Sequence, residues 1–310
     1  MGAAGGVRCC NAGVIHRRLS ISCGGAELPA VLSLPAGPAR AGVVPLHPSD
    51  DRSRSQFLFE HLAQVLPTRG VAVLRYDRRP MGDGRDVPYQ VQVDDLRCAR
   101  DALADEIGPV PMGLWGFSQG AWIALLAAAE DASVAFLMLV GCSAVSPARQ
   151  MRYGTAEQLR RAGFGASDLA ELEQLRSAWE RQQRGDLPRA QAQAVVDRYR
   201  GRAWFPLSWV PDLLPDGRAW DDMDFDPAVA IGRLTCPVLA FYGDDEWIPV
   251  QESIEVWRGR FPDAARLTIL ELPGTTHYPT LGGGRDLASV SPDYTATLTG
   301  WLDDVLATPR

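Results

Sequence analysis

The sequence predicts an α/β fold, a mostly parallel central sheet flanked by helices, with a helical cap inserted in its second half. Three observations carry that prediction. Up to Gly141, apolar and β-branched runs alternate with segments of helical period, as parallel strand–helix units require. Over 145–225 the alternation stops and three helix-like stretches follow one another with no convincing strand, after which it resumes. A Gly-x-Ser-x-Gly turn, Gly116-Phe117-Ser118-Gln119-Gly120, stands where an apolar run gives way to an apolar helix. The predicted organisation is therefore a core over 14–144 and 226–310, a cap over 145–225 and a flexible tail over 1–13.

The first two strands, 15–22 and 28–34, flank a turn at Gly24-Gly25. A short buried strand over 41–46 precedes the polar loop 47–54, and Phe57, Leu58, Leu62 and Val65 give 56–66 a helical face. Strand 71–76 and helix 91–103 follow, then strand 111–117, helix 121–130 and buried strand 134–141. The cap helices are read over 147–162, 167–184 and 188–200; Ser167 suits the second as N-cap and Gly185 as its stop. An aromatic, Pro-rich passage holds Trp204, Phe205, Trp209 and Trp220. Strand 236–242, helix 251–261, strand 266–272 and a terminal helix over 293–306 complete the core.

Composition narrows the chemistry. The 310 residues are 46% hydrophobic and 22% charged, ordinary for a chain that buries a large core. A net charge of −7 argues against nucleic acid or an anionic membrane as the main partner. All 31 basic residues are Arg, which removes Lys Schiff bases, pyridoxal-phosphate attachment, phosphate-loop Lys and Ser–Lys dyads. No apolar run approaches the roughly 18 residues of a membrane span, and the first ten residues lack a signal peptide's apolar centre. Cys9, Cys10, Cys23, Cys98, Cys142 and Cys236 match no zinc or redox spacing, so free thiols in a cytoplasmic protein are expected. Neither metal nor organic cofactor is expected.

The Gly-x-Ser-x-Gly turn supplies a nucleophile. So sharp a bend strains the backbone at Ser118 and leaves no room for side chains at 116 and 120, hence the glycines. A serine hydroxyl needs a base, and of four His the one in a loop after a strand and before the last helix is His277. Its orienting acid should follow the strand ending at Gly243-Asp244-Asp245-Glu246. Counting back from Ile248-Pro249 selects Asp245; counting forward from Gly243 selects Glu246, and Asp244 is the third choice. Asp245 is preferred. His47 reads as a structural loop residue, His16 and His61 as surface groups.

These three sites in this order resemble the α/β-hydrolase fold. The likeness extends over Val43-Val44-Pro45-Leu46-His47-Pro48-Ser49, Tyr76-Asp77-Arg78-Arg79, the Ser118 turn, Gly243-Asp244-Asp245 and Gly274-Thr275-Thr276-His277. Within it the chain is similar to bacterial serine hydrolases of the dipeptidyl-aminopeptidase and acylaminoacyl-peptidase type, which share the Tyr-Asp-Arg-Arg segment and a helical cap. The resemblance implies an acyl-enzyme on Ser118 and an oxyanion hole made by backbone N–H groups. Gln119 would give one. Pro48 stands where the family has Gly and has no N–H, so Ser49 would give the second. Pro80 likewise replaces a Gly.

The expected function is cleavage of a small or medium ester, thioester or lactone, with a small molecule as partner; assembly as a homodimer stays open. Trp204, Phe205, Trp209 and Trp220 are candidates to line the pocket under the cap, or else to pack the cap on the core. Three alternatives share these residues: an aminopeptidase-like amidase, with Glu157, Asp168 or Glu171 receiving a free amine; an acyltransferase or cyclase; and a ligand-binding protein that keeps the fold without the chemistry. Cap arginines such as Arg152, Arg160 and Arg161 could meet a substrate carboxylate or stand as a solvated face.

Overall fold

The computed structural model describes residues 13–80 and 87–308, apart from the side chain of Asp245. The tail expected over 1–13 therefore lies, but for Gly13, outside the described residues. Eight strands form one sheet: β1 (Ile15–Cys23), β2 (Ala26–Leu34), β3 (Ala41–Leu46), β4 (Val71–Tyr76), β5 (Met112–Phe117), β6 (Leu137–Val140), β7 (Val238–Asp245) and β8 (Leu267–Thr276). Their order is β1-β2-β4-β3-β5-β6-β7-β8. β1 pairs antiparallel with β2, and β2 with β4; every later pair is parallel.

The parallel strands are buried on both faces, which is why they read as continuous apolar runs. On one face Val44, Leu74, Leu114, Leu139 and Ala240 pack under α2 (Tyr89–Ile107), α3 (Gln119–Glu130) and α8 (Val250–Arg260). On the other, Val43, Val73, Trp115, Met138 and Phe241 pack under α1 (Phe57–Val65) and α9 (Pro292–Ala307). Neighbouring residues of one strand thus serve opposite cores, the period-two alternation of a pleat. Buried Trp115 donates its Nε1–H to Tyr294 Oη at 2.9 Å, satisfying the polar atoms between sheet and α9.

Between β6 and β7 run α4 (Pro147–Arg161), α5 (Ala166–Arg184), α6 (Arg189–Tyr199), a 3₁₀ turn (Phe205–Ser208) and the short α7 (Pro227–Ile231). The insertion has an apolar core of its own, separate from the two sheet cores, made by Leu159, Leu172, Leu175, Val196, Tyr199, Trp204 and Phe205. Buried Glu180 of α5 ties it further, accepting from Arg152 Nε at 2.8 Å and lying 3.3 Å from Arg176 Nη2.

Two expectations are corrected. Cys23 and Cys98 are joined in a disulfide with Cα atoms 5.9 Å apart, closing the β1–β2 hairpin onto α2. The free-thiol reading on which a cytoplasmic location rested therefore fails for these two; their distance in sequence hid the pairing. His61 is buried rather than a surface group, with Nε2 3.0 Å from Thr295 Oγ1, because α1 lays that side of its apolar face on α9. Among the described residues no helix is long and apolar enough to cross a membrane.

Candidate active site

The carboxyl ends of β5, β7 and β8 converge on one point. β5 runs into α3 through Ser118, whose φ of 54° and ψ of −117° place a non-glycine residue in a strained region. The neighbours explain the spacing of the motif. A Cβ on Gly116 would lie 2.6 Å from Ala121 Cα, and one on Gly120 only 2.2 Å from the Leu46 carbonyl oxygen. Both clashes are with backbone, so neither position admits a side chain. The Ser118 N–H is satisfied by Val140 O at 2.9 Å, which anchors the turn to the end of β6.

His277 stands beside that anchor. Gly141, the next residue after Val140, has φ of 59°, and a Cβ there would sit 2.6 Å from His277 Cε1. Phe117, the residue before Ser118, lies 5.1 Å ring to ring from His277. The imidazole is thus seated against the residues on either side of the Ser118 anchor. Its Nδ1 is 2.7 Å from Glu246 Oε2, and the other oxygen of that carboxylate accepts the Gly243 N–H at 3.1 Å. With Nδ1 carrying the proton toward the carboxylate, Nε2 is left as the basic nitrogen. Nε2 is buried and hydrogen-bonded to no described group, Ser118 Oγ included; contacts of this kind commonly tighten only when substrate is present.

The acid on the imidazole is Glu246, not the preferred Asp245. The reason is register. β7 and β8 pair from Val238↔Leu267 to Gly243↔Leu272, shift at a bulge, and end with Asp245 opposite Thr276. Glu246 and His277 are therefore the first residues past the last pair of adjoining strands. From Gly243↔Leu272 to Asp245↔Thr276, β8 advances four residues against two on β7. The extra residues on β8 set where His277 emerges and which acid it faces, which counting along β7 alone does not register. Asp245's side chain lies outside the described residues, while Asp244 is exposed and accepts the Gly274 N–H at 3.0 Å, bracing the loop that carries His277.

Gln119 opens α3 directly after Ser118, and Ser49 follows β3 in an exposed turn. The Leu46 carbonyl pressed against Gly120 keeps these segments adjacent. His47 is buried between Phe59 and Tyr76, with ring centroids at 4.8 and 5.4 Å. Burial, reinforced by the charge of Arg78, pushes its pKa down to about 3, so it is neutral at physiological pH.

The four aromatic candidates divide. Trp204 and Phe205 are buried in the insertion's own core, not at the site. Trp220 is half-buried, its backbone N–H held by Gln183 Oε1 at 2.9 Å. Of the four, Trp209 reaches toward His277, stacking on Trp247 with centroids 6.1 Å apart and an interplanar angle of 25°. Trp247 in turn presents its edge to His277 at 5.4 Å. Trp209 is 58% exposed and holds φ at 55°, a left-handed conformation unusual for so large a residue. Gln158 Oε1 accepts from its indole N–H at 3.2 Å. Trp247 is not among the residues that the sequence pattern selects, although its place directly after Glu246 is a usable signal. Gly154 of α4 packs so closely on it that a Cβ would lie 2.3 Å from Cε3.

The cap's charged candidates are engaged within the protein. Glu157 meets Arg161 at 3.0 Å, Asp168 accepts the Gly165 N–H at 3.0 Å, and Glu171 meets Arg202 at 2.5 Å. Arg152 binds Glu173 and Glu180, Arg160 binds Glu157, and Arg161 also donates to the Glu246 carbonyl at 3.0 Å. That last bond ties α4 to the residue that carries the acid. Among the described residues no group of three or more His, Cys, Asp or Glu is gathered as for a metal ion.

The sequence model of the Alpha/beta hydrolase family matches residues 34–290. No curated protein matches the sequence. Among solved structures, a cold-adapted esterase from an Arctic intertidal metagenomic library superposes with TM-score 0.56 at 17% identity, covering 98% of this chain and 99% of its own. Proline iminopeptidase of Mycobacterium smegmatis superposes with TM-score 0.61 at 17% identity, covering 93% and 98%. Dienelactone hydrolase of Anabaena variabilis gives 0.55 at 16%, covering 94% and 96%. At such identities the likeness is one of fold.

Proposed function

The chain belongs to the alpha/beta hydrolase family, and from that premise we propose that it is a serine hydrolase acting on a small or medium ester, thioester or lactone. The observation that carries the reading is the imidazole of His277, bound through Nδ1 to Glu246 and holding a buried, unbonded Nε2 beside the strained turn at Ser118.

In this reading Ser118 Oγ attacks the substrate carbonyl and gives its proton to His277 Nε2. Glu246 fixes the tautomer and balances the imidazolium. The N–H groups of Gln119 and Ser49 receive the oxyanion. The C–O or C–S bond then breaks, and the leaving group takes the proton from Nε2. Water attacks the acyl-enzyme with His277 again as base, releasing the acid and restoring Ser118. The insertion serves as the lid, and the Trp209–Trp247 stack forms one wall of the pocket. The finer likeness to the dipeptidyl-aminopeptidase and acylaminoacyl-peptidase type rests on Tyr76-Asp77-Arg78-Arg79 and the helical insertion. An ester is favoured over a free-amine peptide because the carboxylates considered for an amine subsite are held by arginines or backbone.

The test pairs an active-site probe with a substrate panel. A fluorophosphonate should label the protein at Ser118 and not the Ser118→Ala variant. p-Nitrophenyl esters of graded chain length should be hydrolysed well ahead of aminoacyl p-nitroanilides. Absence of labelling in folded protein would refute the nucleophile, and preference for the anilides would refute the ester assignment.

A further inference from the structure

Arg78 follows β4 and is 5% exposed. Its guanidinium reaches two segments, the start of α3 and the loop after β3. Nη1 donates to Gln119 Oε1 at 2.6 Å, and Nη2 donates to the Ser49 carbonyl oxygen at 3.2 Å. A weaker contact from Nη1 to Gln92 Oε1 at 3.5 Å fixes the same group from α2, and the Arg78 backbone N–H is held by Arg52 O at 3.0 Å. Gln119 and Ser49 are the residues on either side of the nucleophile whose backbone N–H groups would receive the oxyanion.

We infer that Arg78 is a positioning residue that clamps the two halves of the oxyanion hole, an inference that rests on the serine-hydrolase reading above. Three physical points support it. The planar guanidinium offers donors in a rigid fork, so one side chain can fix two acceptors at a set separation, which the point charge of a Lys could not do. The Ser49 half of the hole needs such support: Pro48 stiffens the loop but gives no N–H, and Ser49 sits in an exposed turn. Finally, a buried cation at this place lies close to the negative charge that develops in the transition state, in a medium where charges interact strongly. Preorganised donors of this kind act on the transition state more than on the bound substrate, so the effect belongs in kcat and not in KM.

The experiment compares wild type, Arg78→Met, Gln119→Leu and the double variant, each checked for cooperative thermal unfolding, with a p-nitrophenyl ester and a trifluoromethyl ketone inhibitor. Gln119→Leu keeps the backbone N–H and removes the side-chain amide, including the oxygen that Arg78 holds. Arg78→Met should lower kcat by about 10- to 100-fold with KM changed less than about threefold, and should weaken the ketone by a similar factor. Gln119→Leu should lower kcat by about fivefold or more, and adding it to Arg78→Met should lower kcat little further, since the Arg78–Gln119 bond is then already cut. Unchanged kcat in Gln119→Leu, or independent multiplicative losses in the double variant, would overturn the clamp. Should Arg78→Met fail to fold, the kcat and ketone affinity of Gln119→Leu decide. Wild-type protein that resists fluorophosphonate would remove the hydrolase reading instead, whereas labelled wild type with unaffected variants removes the clamp alone.

Discussion

Glu246 Oε2 stands 2.7 Å from His277 Nδ1, each residue being the first beyond the Asp245↔Thr276 pair that ends the ladder of two parallel strands. The contact is therefore built by strand register, not by a flexible loop. Glu246→Gln should keep the shape while reversing the tautomer preference of the imidazole, lowering kcat by about 10³- to 10⁴-fold. Asp245→Asn should leave turnover within a few-fold. Steady-state kinetics on one ester distinguish the two, and the opposite pattern would return the acid to Asp245.

The stacked pair of Trp209 and Trp247 makes a flat apolar surface beside the imidazole. Trp209→Ala should raise KM for aryl esters by about 3- to 10-fold, the range of a lost aromatic contact, and leave acetate esters nearly unchanged. Equal effects on both series would mean that the ring only braces the insertion.

Acid should destabilise the fold through His47. Its pKa in the folded protein is pushed down to about 3 by burial, whereas in the unfolded chain it is near 6.5. The unfolded state therefore takes up the proton first. Stability is complete above about pH 6.5 and is lost progressively as the pH falls toward 3, by about 2 kcal/mol between pH 7 and pH 5 from this residue. Burial lowers His61 in the same direction. Urea unfolding at the two pH values should show this slope in the wild type and a shallower one in His47→Asn.

The bridge between Cys23 and Cys98, 75 residues apart, closes a long loop. Cys98→Ser should reduce unfolding free energy by about 2–4 kcal/mol under oxidising conditions. A non-reduced peptide map should recover the two cysteines in one linked fragment. Equal denaturant midpoints for wild type and variant would show the bond to be unformed.

Much of this architecture is legible in the sequence. The glycines around Ser118 announce a turn because backbone crowding leaves them no substitute, and His277 is the one His in a loop between a strand and the last helix. Asp245 misled because the shift in pairing places two extra residues on β8, between Leu272 and Thr276, and no pattern around Asp245 marks where the partner strand then delivers His277. Trp204 and Phe205 misled for a different reason: an apolar ring suits a pocket wall and a helical core equally well, and only packing decides. Arg78 was visible within Tyr76-Asp77-Arg78-Arg79, but its partners lie on β3's exit and α3, far away in sequence.

The insertion's separate apolar core has an evolutionary corollary. A module that supplies its own packing can exchange residues on its inner face, or whole helices, without loosening the sheet that holds Ser118, His277 and Glu246. Selectivity and reaction chemistry can then diverge at different rates, and swapping this segment between homologues offers a direct route to altered preference.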